Sequence, residues 1–183
     1  MMNENHKVSL ITNYPADKPT DNFVGREGLI KDIKDMIDSE NKTVLVSGFG
    51  GMGKTEICKK IFHEYYNSPQ NDIKYIGWIN YGTNLKSSIF QNIIYFKKFE
   101  EMNYIYEVSH KSIEEVHFDL TREFLNEHGG QVLLFIDNMN EAEKEDRDII
   151  LNLPNKIVIT SRINEFDRVK PIEIDKLPLA DCK

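Results

Sequence analysis

The sequence predicts an α/β sandwich built on a mostly parallel sheet, and three observations carry that expectation. Short apolar runs alternate with segments of helical periodicity, at spacings too wide for hairpins, so crossovers must join the strands. The run Val132–Asp137 (VLLFID) opens with five successive apolar residues and no alternation, the pattern of a central strand covered on both faces. A glycine-rich stretch, Gly48–Gly53, stands directly between a β-branched run and a helical one. In such a sheet a ligand belongs beyond the carboxyl ends of the strands.

Residues 1–22 read as a lead-in with little regular structure, because Pro15 and Pro19 interrupt a polar stretch; Val8–Ile11 is a candidate short edge strand. Residues 23–183 read as one domain. From Glu27 to about Ser39, Leu29, Ile30, Ile33, Met36 and Ile37 fall on one helical face, which Asn41 and Lys42 end. Thr43–Ser47 (TVLVS) is the first core strand, and Thr55 to about Tyr66 the helix after the glycines. Lys74–Asn80 (KYIGWIN) is a second strand, weakened by Gly77. Leu85–Phe99 is a helix presenting Ile89, Ile93 and Ile94, and 100–111 is left unassigned. Ser112–Glu127 is a helix with a capping box from Ser112 and Glu115 and a buried side of Val116, Leu120 and Leu125. Beyond the Gly129–Gly130 turn and VLLFID, residues 138–148 form a loop and a short helix, Lys156–Thr160 (KIVIT) a fourth strand and Pro171–Ile174 (PIEI) a fifth.

With 183 residues, 40% hydrophobic and 29% charged, the chain has the make-up of a globular domain rather than a disordered or fibrous one. A net charge of -7 argues against a broad footprint for nucleic acid or anionic membrane, so neither is an expected partner. Cys58 and Cys182 are too few for a disulfide framework. The polar, proline-broken start does not read as a signal peptide, and no run reaches 18 apolar residues; a cytoplasmic location is expected.

Gly48-Phe49-Gly50-Gly51-Met52-Gly53-Lys54-Thr55 matches the phosphate-loop pattern G-x-x-x-x-G-K-[ST] in full, with the strand before and the helix after that the pattern requires. Its chemistry is local. Gly50 and Gly51 permit unusual dihedrals, a side chain at Gly53 would intrude on the phosphates, and the helix N-terminus adds unpaired N–H groups. Lys54 supplies a cation for the β and γ phosphates and the Thr55 hydroxyl a ligand for Mg²⁺. The expected cofactor-binding set in this stretch is Gly48, Gly50, Gly51, Met52, Gly53, Lys54, Thr55 and Glu56.

Asp137 ends a strand and is expected to hold Mg²⁺ together with Thr55; an aspartate there also starts turns, and the loop upstream favours the metal. Asn138 follows, and an amide cannot take a proton from an attacking water near neutral pH. Nucleotide binding with slow or partner-dependent hydrolysis is the expectation. Arg162, after KIVIT, could report on the γ phosphate with its planar fork, completing an expected catalytic set of Lys54, Asp137 and Arg162. Thr160 and Ser161 could add hydroxyl contacts. Cys58 and Trp78 read as core, His63, His110, His117 and His128 as surface or helix-end residues, Tyr104 and Tyr106 as packing against the sheet, and Glu141–Asp148 as a solvated face.

Four stretches together resemble the NB-ARC and related STAND-class signalling ATPases of the AAA+-like group: Phe23-Val24-Gly25-Arg26-Glu27, Val46–Glu56, Val132–Asn140 and Lys156–Arg162. The resemblance implies a three-layer sandwich with five strands in the order 2-3-4-1-5, and ATP or ADP with Mg²⁺ as cofactors. It implies that Phe23 and Val24 line the adenine pocket, and that Arg26 either contacts phosphate or fixes the hinge between modules. Family members carry acids at the positions of both Asp137 and Asn138; only the first is present here. They continue into a helical lid and a winged-helix module, so the chain is expected to be the nucleotide-binding core of a longer switch that oligomerises in its ATP state. A small-molecule phosphotransferase and a non-hydrolysing, nucleotide-stabilised scaffold stand as alternatives.

Overall fold

The computed structural model describes residues 8–13, 16–20, 26–39, 42–67, 72–94, 105–164, 166 and 168–175. In chain order its elements are β1 (Ser9–Leu10), α1 (Glu27–Asp38), β2 (Thr43–Ser47), α2 (Lys54–Asn67), β3 (Tyr75–Asn80), α3 (Leu85–Asn92), α4 (Ile113–His128), β4 (Val132–Asp137), α5 (Lys144–Asn152), β5 (Lys156–Ser161) and β6 (Pro171–Glu173). Every ladder is parallel, and the sheet runs β1-β3-β4-β5-β2-β6.

Among the described residues the expected count of five strands is therefore corrected to six, and the order with it. The addition is β1, which pairs with β3 at the sheet edge; without it the core strands run β3-β4-β5-β2-β6. Residues 8–13 are thus part of the fold, with Val8 and Ile11 in its core. Gly77 marks where they cross. A Cβ on Gly77 would lie 2.9 Å from Ile11 Cγ1 and 3.0 Å from Leu134 Cδ2. The residue that weakens the strand pattern is the one that admits the neighbouring chain.

Alternate strand residues face opposite layers, as the pleat requires. On one face Val44, Val46, Trp78, Leu133 and Phe135 pack against Ile33 and Ile37 of α1 and Ile57, Ile61 and Phe62 of α2. On the other, Leu45, Ile79, Leu134, Ile136 and Ile159 pack against α3, α4 and α5 through Leu85, Ile89, Leu125 and Ile150. This double coverage is why β4 lacks alternation: all six of its residues are buried. Phe62 stands edge-on to Trp78 at 5.8 Å and to Phe135 at 5.6 Å, while Trp78 and Phe135 stack. Each such aromatic contact adds about 0.5–1.5 kcal/mol beyond burial.

Three local expectations differ from the structure. α3 stops at Asn92, short of the expected Phe99, because Ile94 N–H donates to Ile11 O and Asn13 N–H to Asn92 O; the partners along residues 11–13 outcompete another helical turn. His117 is buried rather than superficial, and Tyr106 is exposed rather than packed on the sheet. Phe23, Val24, Tyr104 and Cys182 lie outside the described residues.

Candidate functional site

Three strand tips meet at the carboxyl rim of the sheet. β2 runs into the glycine loop, β4 ends on Asp137 and β5 leads into Arg162. Between them is a cleft of about 300 Å³, bordered by Gly50, Gly51, Gly53, Lys54, Thr55, Glu56, Asn138, Asn140, Thr160 and Arg162.

The glycines serve different ends. Gly51 and Gly53 have φ of 79° and 85°, and a Cβ on either would meet no protein atom within 4 Å. Their conformation and the open space beside them are what a loop wrapping an anion needs. Gly48 is required by the fold instead: its Cβ would come within 2.8 Å of Ile174 O, at the end of β6. A Cβ on Gly50 would lie 3.7 Å from Cζ of the Arg162 guanidinium. Met52 packs against the α1–α2 core, and Phe49 projects outward.

Lys54 is nearly buried and donates to Gly48 O at 2.7 Å and Phe49 O at 2.9 Å. Burial and the neighbouring Arg162 cation push its pKa down, against the pull of Asp137. Thr55, in the first turn of α2, donates its hydroxyl to Asp137 Oδ1 at 2.9 Å, with Oδ2 at 3.2 Å. Asp137 takes a second hydroxyl from Thr160 at 2.5 Å, and its carbonyl accepts the Tyr81 N–H. Glu56 borders the cleft, but its carboxylate accepts the Thr20 N–H at 2.8 Å and meets Lys59 at 3.1 Å. Burial pushes that carboxyl up, and these two contacts outweigh it, leaving the pKa below the ordinary range.

Lys54, Thr55, Asp137 and Arg162 are thus brought together. Arg26 is not among the bordering residues. It sits at the N-cap of α1 with φ 70° and donates to Asp175 O at 2.9 Å, tying that helix to the segment after β6. Sequence reasoning missed Asn140, which accepts the Arg162 N–H at 2.8 Å and donates to Asn138 Oδ1. Its only signal was an Asn-x-Asn turn. Asn138 itself has φ 65°, a conformation asparagine tolerates better than most residues.

The donor set fits a magnesium nucleotide. A loop of exposed N–H groups and two cations suits a polyphosphate, and a hydroxyl hydrogen-bonded to a carboxylate suits a hard cation that keeps several waters. Among the described residues no cluster of three or more His, Cys, Asp or Glu could hold a metal, and no helix is long and apolar enough to cross a membrane.

Solved structures share the fold. A Walker-type ATPase of Pyrococcus abyssi aligns with 11% identity and a TM-score of 0.50, over 90% of this chain and 57% of that one. Saccharomyces cerevisiae Hsp104 in complex with casein, in an extended conformation, aligns with 16% identity and a TM-score of 0.54, over 90% and 28%. A closed state of Hsp104 with ATPγS and casein aligns with 19% identity and a TM-score of 0.51, over 86% and 28%. The chain therefore spans between about a quarter and three fifths of the structures it resembles. No curated protein matches it. The profile of the NB-ARC domain matches residues 26–176, from the α1 cap to just past β6, and so takes in the whole cleft. The chain belongs to the NB-ARC family, as a phosphate-loop nucleotide-binding domain of the STAND and AAA+ ATPases.

Proposed function

We propose that this chain is the adenine-nucleotide switch domain of a longer signalling ATPase, binding ATP or ADP with Mg²⁺ in the cleft at the carboxyl rim and hydrolysing ATP slowly. The observation that carries the reading is the meeting of Lys54, the Thr55–Asp137 pair and Arg162 around one cleft. Backbone N–H groups of Gly51–Gly53 and the Lys54 ammonium would hold the phosphates, and Thr55 and Asp137 the Mg²⁺. Mg²⁺ supplies charge neutralisation at the phosphate oxygens. Arg162, fixed through its N–H by Asn140, is suited to distinguish di- from triphosphate. Family membership supports a preference for adenine, with Phe23 and Val24 read as lining the base. Arg26, joined to Asp175, is read as the hinge tie.

Asn138 supports slow turnover. Its amide is no general base, and its Oδ1 already accepts from Asn140. The same feature favours a second reading, a scaffold that binds nucleotide without hydrolysing it. A phosphotransferase is less well supported, because of the chain's five arginines only Arg162 borders the cleft among the described residues. Membership in a longer chain, and self-association in its ATP state, belong to the same proposal.

The test is to denature the purified protein, chromatograph what it releases, and titrate a fluorescent ATP analogue with Mg²⁺. ADP or ATP is the expected cargo. Lys54→Ala is expected to weaken binding by about 10- to 100-fold, the worth of one or two charge-assisted hydrogen bonds. A folded Lys54→Ala protein with unaltered affinity would remove Lys54 from the site. No cargo and no binding by the unmodified chain would remove the reading.

A further inference from the structure

The tip of β5 and the loop after β4 are joined residue by residue. Thr160 O accepts the Met139 N–H at 2.9 Å. Ser161 Oγ donates to Met139 O at 2.8 Å, and Arg162 N–H to Asn140 Oδ1 at 2.8 Å. The Thr160 side chain extends the same seam, with Asn138 N–H 2.8 Å from its hydroxyl and Asp137 Oδ1 2.5 Å away on the other side.

The chemistry of those two partners leaves one hydrogen-bond arrangement. A backbone N–H only donates, so the Thr160 oxygen accepts from Asn138. An ionised carboxylate only accepts, so the Thr160 proton goes to Asp137. Thr160 is 3% exposed, which leaves little room for water to replace either partner. Asp137 Oδ1 also accepts the Thr55 hydroxyl, so two hydroxyl protons converge on one oxygen. Among the described residues the other oxygen, Oδ2, has only the longer 3.2 Å approach of Thr55 and keeps acceptor capacity. The Thr55 oxygen keeps its lone pairs as well, since its proton is directed at the carboxylate.

We propose that Thr160 is a positioning residue for the metal carboxylate: its buried hydroxyl holds Asp137 turned toward Thr55, with Oδ2 presented to the cation, and ties that orientation to the loop that carries Asn138. The proposal rests on reading the cleft as a magnesium–nucleotide site. Thr160 touches neither nucleotide nor metal in this role; it acts through Asp137. The sequence offered its hydroxyl only as a possible nucleotide contact, and the structure turns it to the carboxylate instead.

Valine matches threonine in shape and cannot make either hydrogen bond; serine can make both. The test measures the affinity of a fluorescent ATP analogue for the purified chain with Mg²⁺ and with EDTA, in the unmodified protein, Thr160→Val and Thr160→Ser. The ratio of the two affinities is the metal's contribution. Thr160→Val is expected to lower that ratio about tenfold while leaving the EDTA affinity within about twofold, and Thr160→Ser to keep the ratio, in line with one charge-assisted hydrogen bond. Mn²⁺ binding in the presence of ATP, followed by the loss of free-ion electron paramagnetic resonance signal, should weaken in parallel. A Thr160→Val protein with an unaltered ratio overturns the proposal, and so does an equal loss with and without metal, which would mark a general packing defect. If Thr160→Val melts below the assay temperature, Thr160→Ala, which removes the hydroxyl without placing a second methyl there, is read by the same criteria. An unmodified protein that binds no nucleotide in either condition overturns the underlying site. One that binds with no metal contribution overturns only the metal carboxylate, and Thr160's role with it.

Discussion

Gly77 and His117 each look out of place in their element, and each is explained by a neighbour distant in sequence. Gly77 is occupied on its open side by Ile11 and Thr12. Gly77→Ala is expected to destabilise the chain by about 1–3 kcal/mol, the usual result of overpacking, read as a lower urea midpoint at constant slope. An unchanged midpoint would mean that residues 11–12 do not cross there. His117 is 6% exposed, with Nε2 3.0 Å from Ile93 O and its ring edge-on to Phe90. Burial holds its pKa below the ordinary imidazole value, and the Ile93 contact only partly opposes this. The folded state therefore resists protonation more than the unfolded chain does. This contribution is fully present above the unfolded pKa, near about 6.5, and is lost as pH falls from there through the folded value. Urea midpoints at pH 7.5 and 5.5 should show the loss, and His117→Gln should flatten it. A variant with the unmodified protein's pH dependence would exonerate His117.

Among the elements, α4 was the most legible. Ser112 accepts the Glu115 N–H, and Glu115 returns a bond to the Ser112 N–H, completing the expected capping box. Ser112→Ala should cost about 1 kcal/mol and lower Tm by about 2–4 °C, checked by thermal unfolding; no change would mean solvent satisfies those N–H groups equally well. α3 was less legible, because its apolar periodicity continues past the point where Ile93 and Ile94 turn to residues 11–13. The acidic stretch before and within α5 was legible only in part. Most of it is exposed, but Asp146 accepts both the Tyr81 hydroxyl at 2.6 Å and the Leu85 N–H at 2.7 Å, tying α5 to the start of α3. A charge run carries no mark of which member will find such partners.

Across the molecule, the candidate edge strand Val8–Ile11 is realised as β1, the sixth strand of the sheet among the described residues. Deleting residues 1–12 removes buried Val8 and Ile11 and exposes the β3 edge. A loss of about 3–6 kcal/mol is expected from those two side chains, at about 1.5–3 kcal/mol each, measurable by urea unfolding. Equal stability would show that β1 adds nothing to the sheet. What could be read without coordinates is what depends on neighbours along the chain: the five core strands, the face of α1, the α4 cap and the phosphate loop, whose spacing is its chemistry. What needed the folded chain depends on contacts across dozens of residues. Ile11 lies against Gly77, Ile174 O against Gly48, and Thr160 reaches Asp137 from a position 23 residues away. Helical and strand periodicity is set by the backbone's own repeat and so is printed locally. The motif and the strand ends named the residues of the rim, but which partner a hydroxyl such as that of Thr160 turns to is set by how the sheet stacks its strands, and chain order does not carry that.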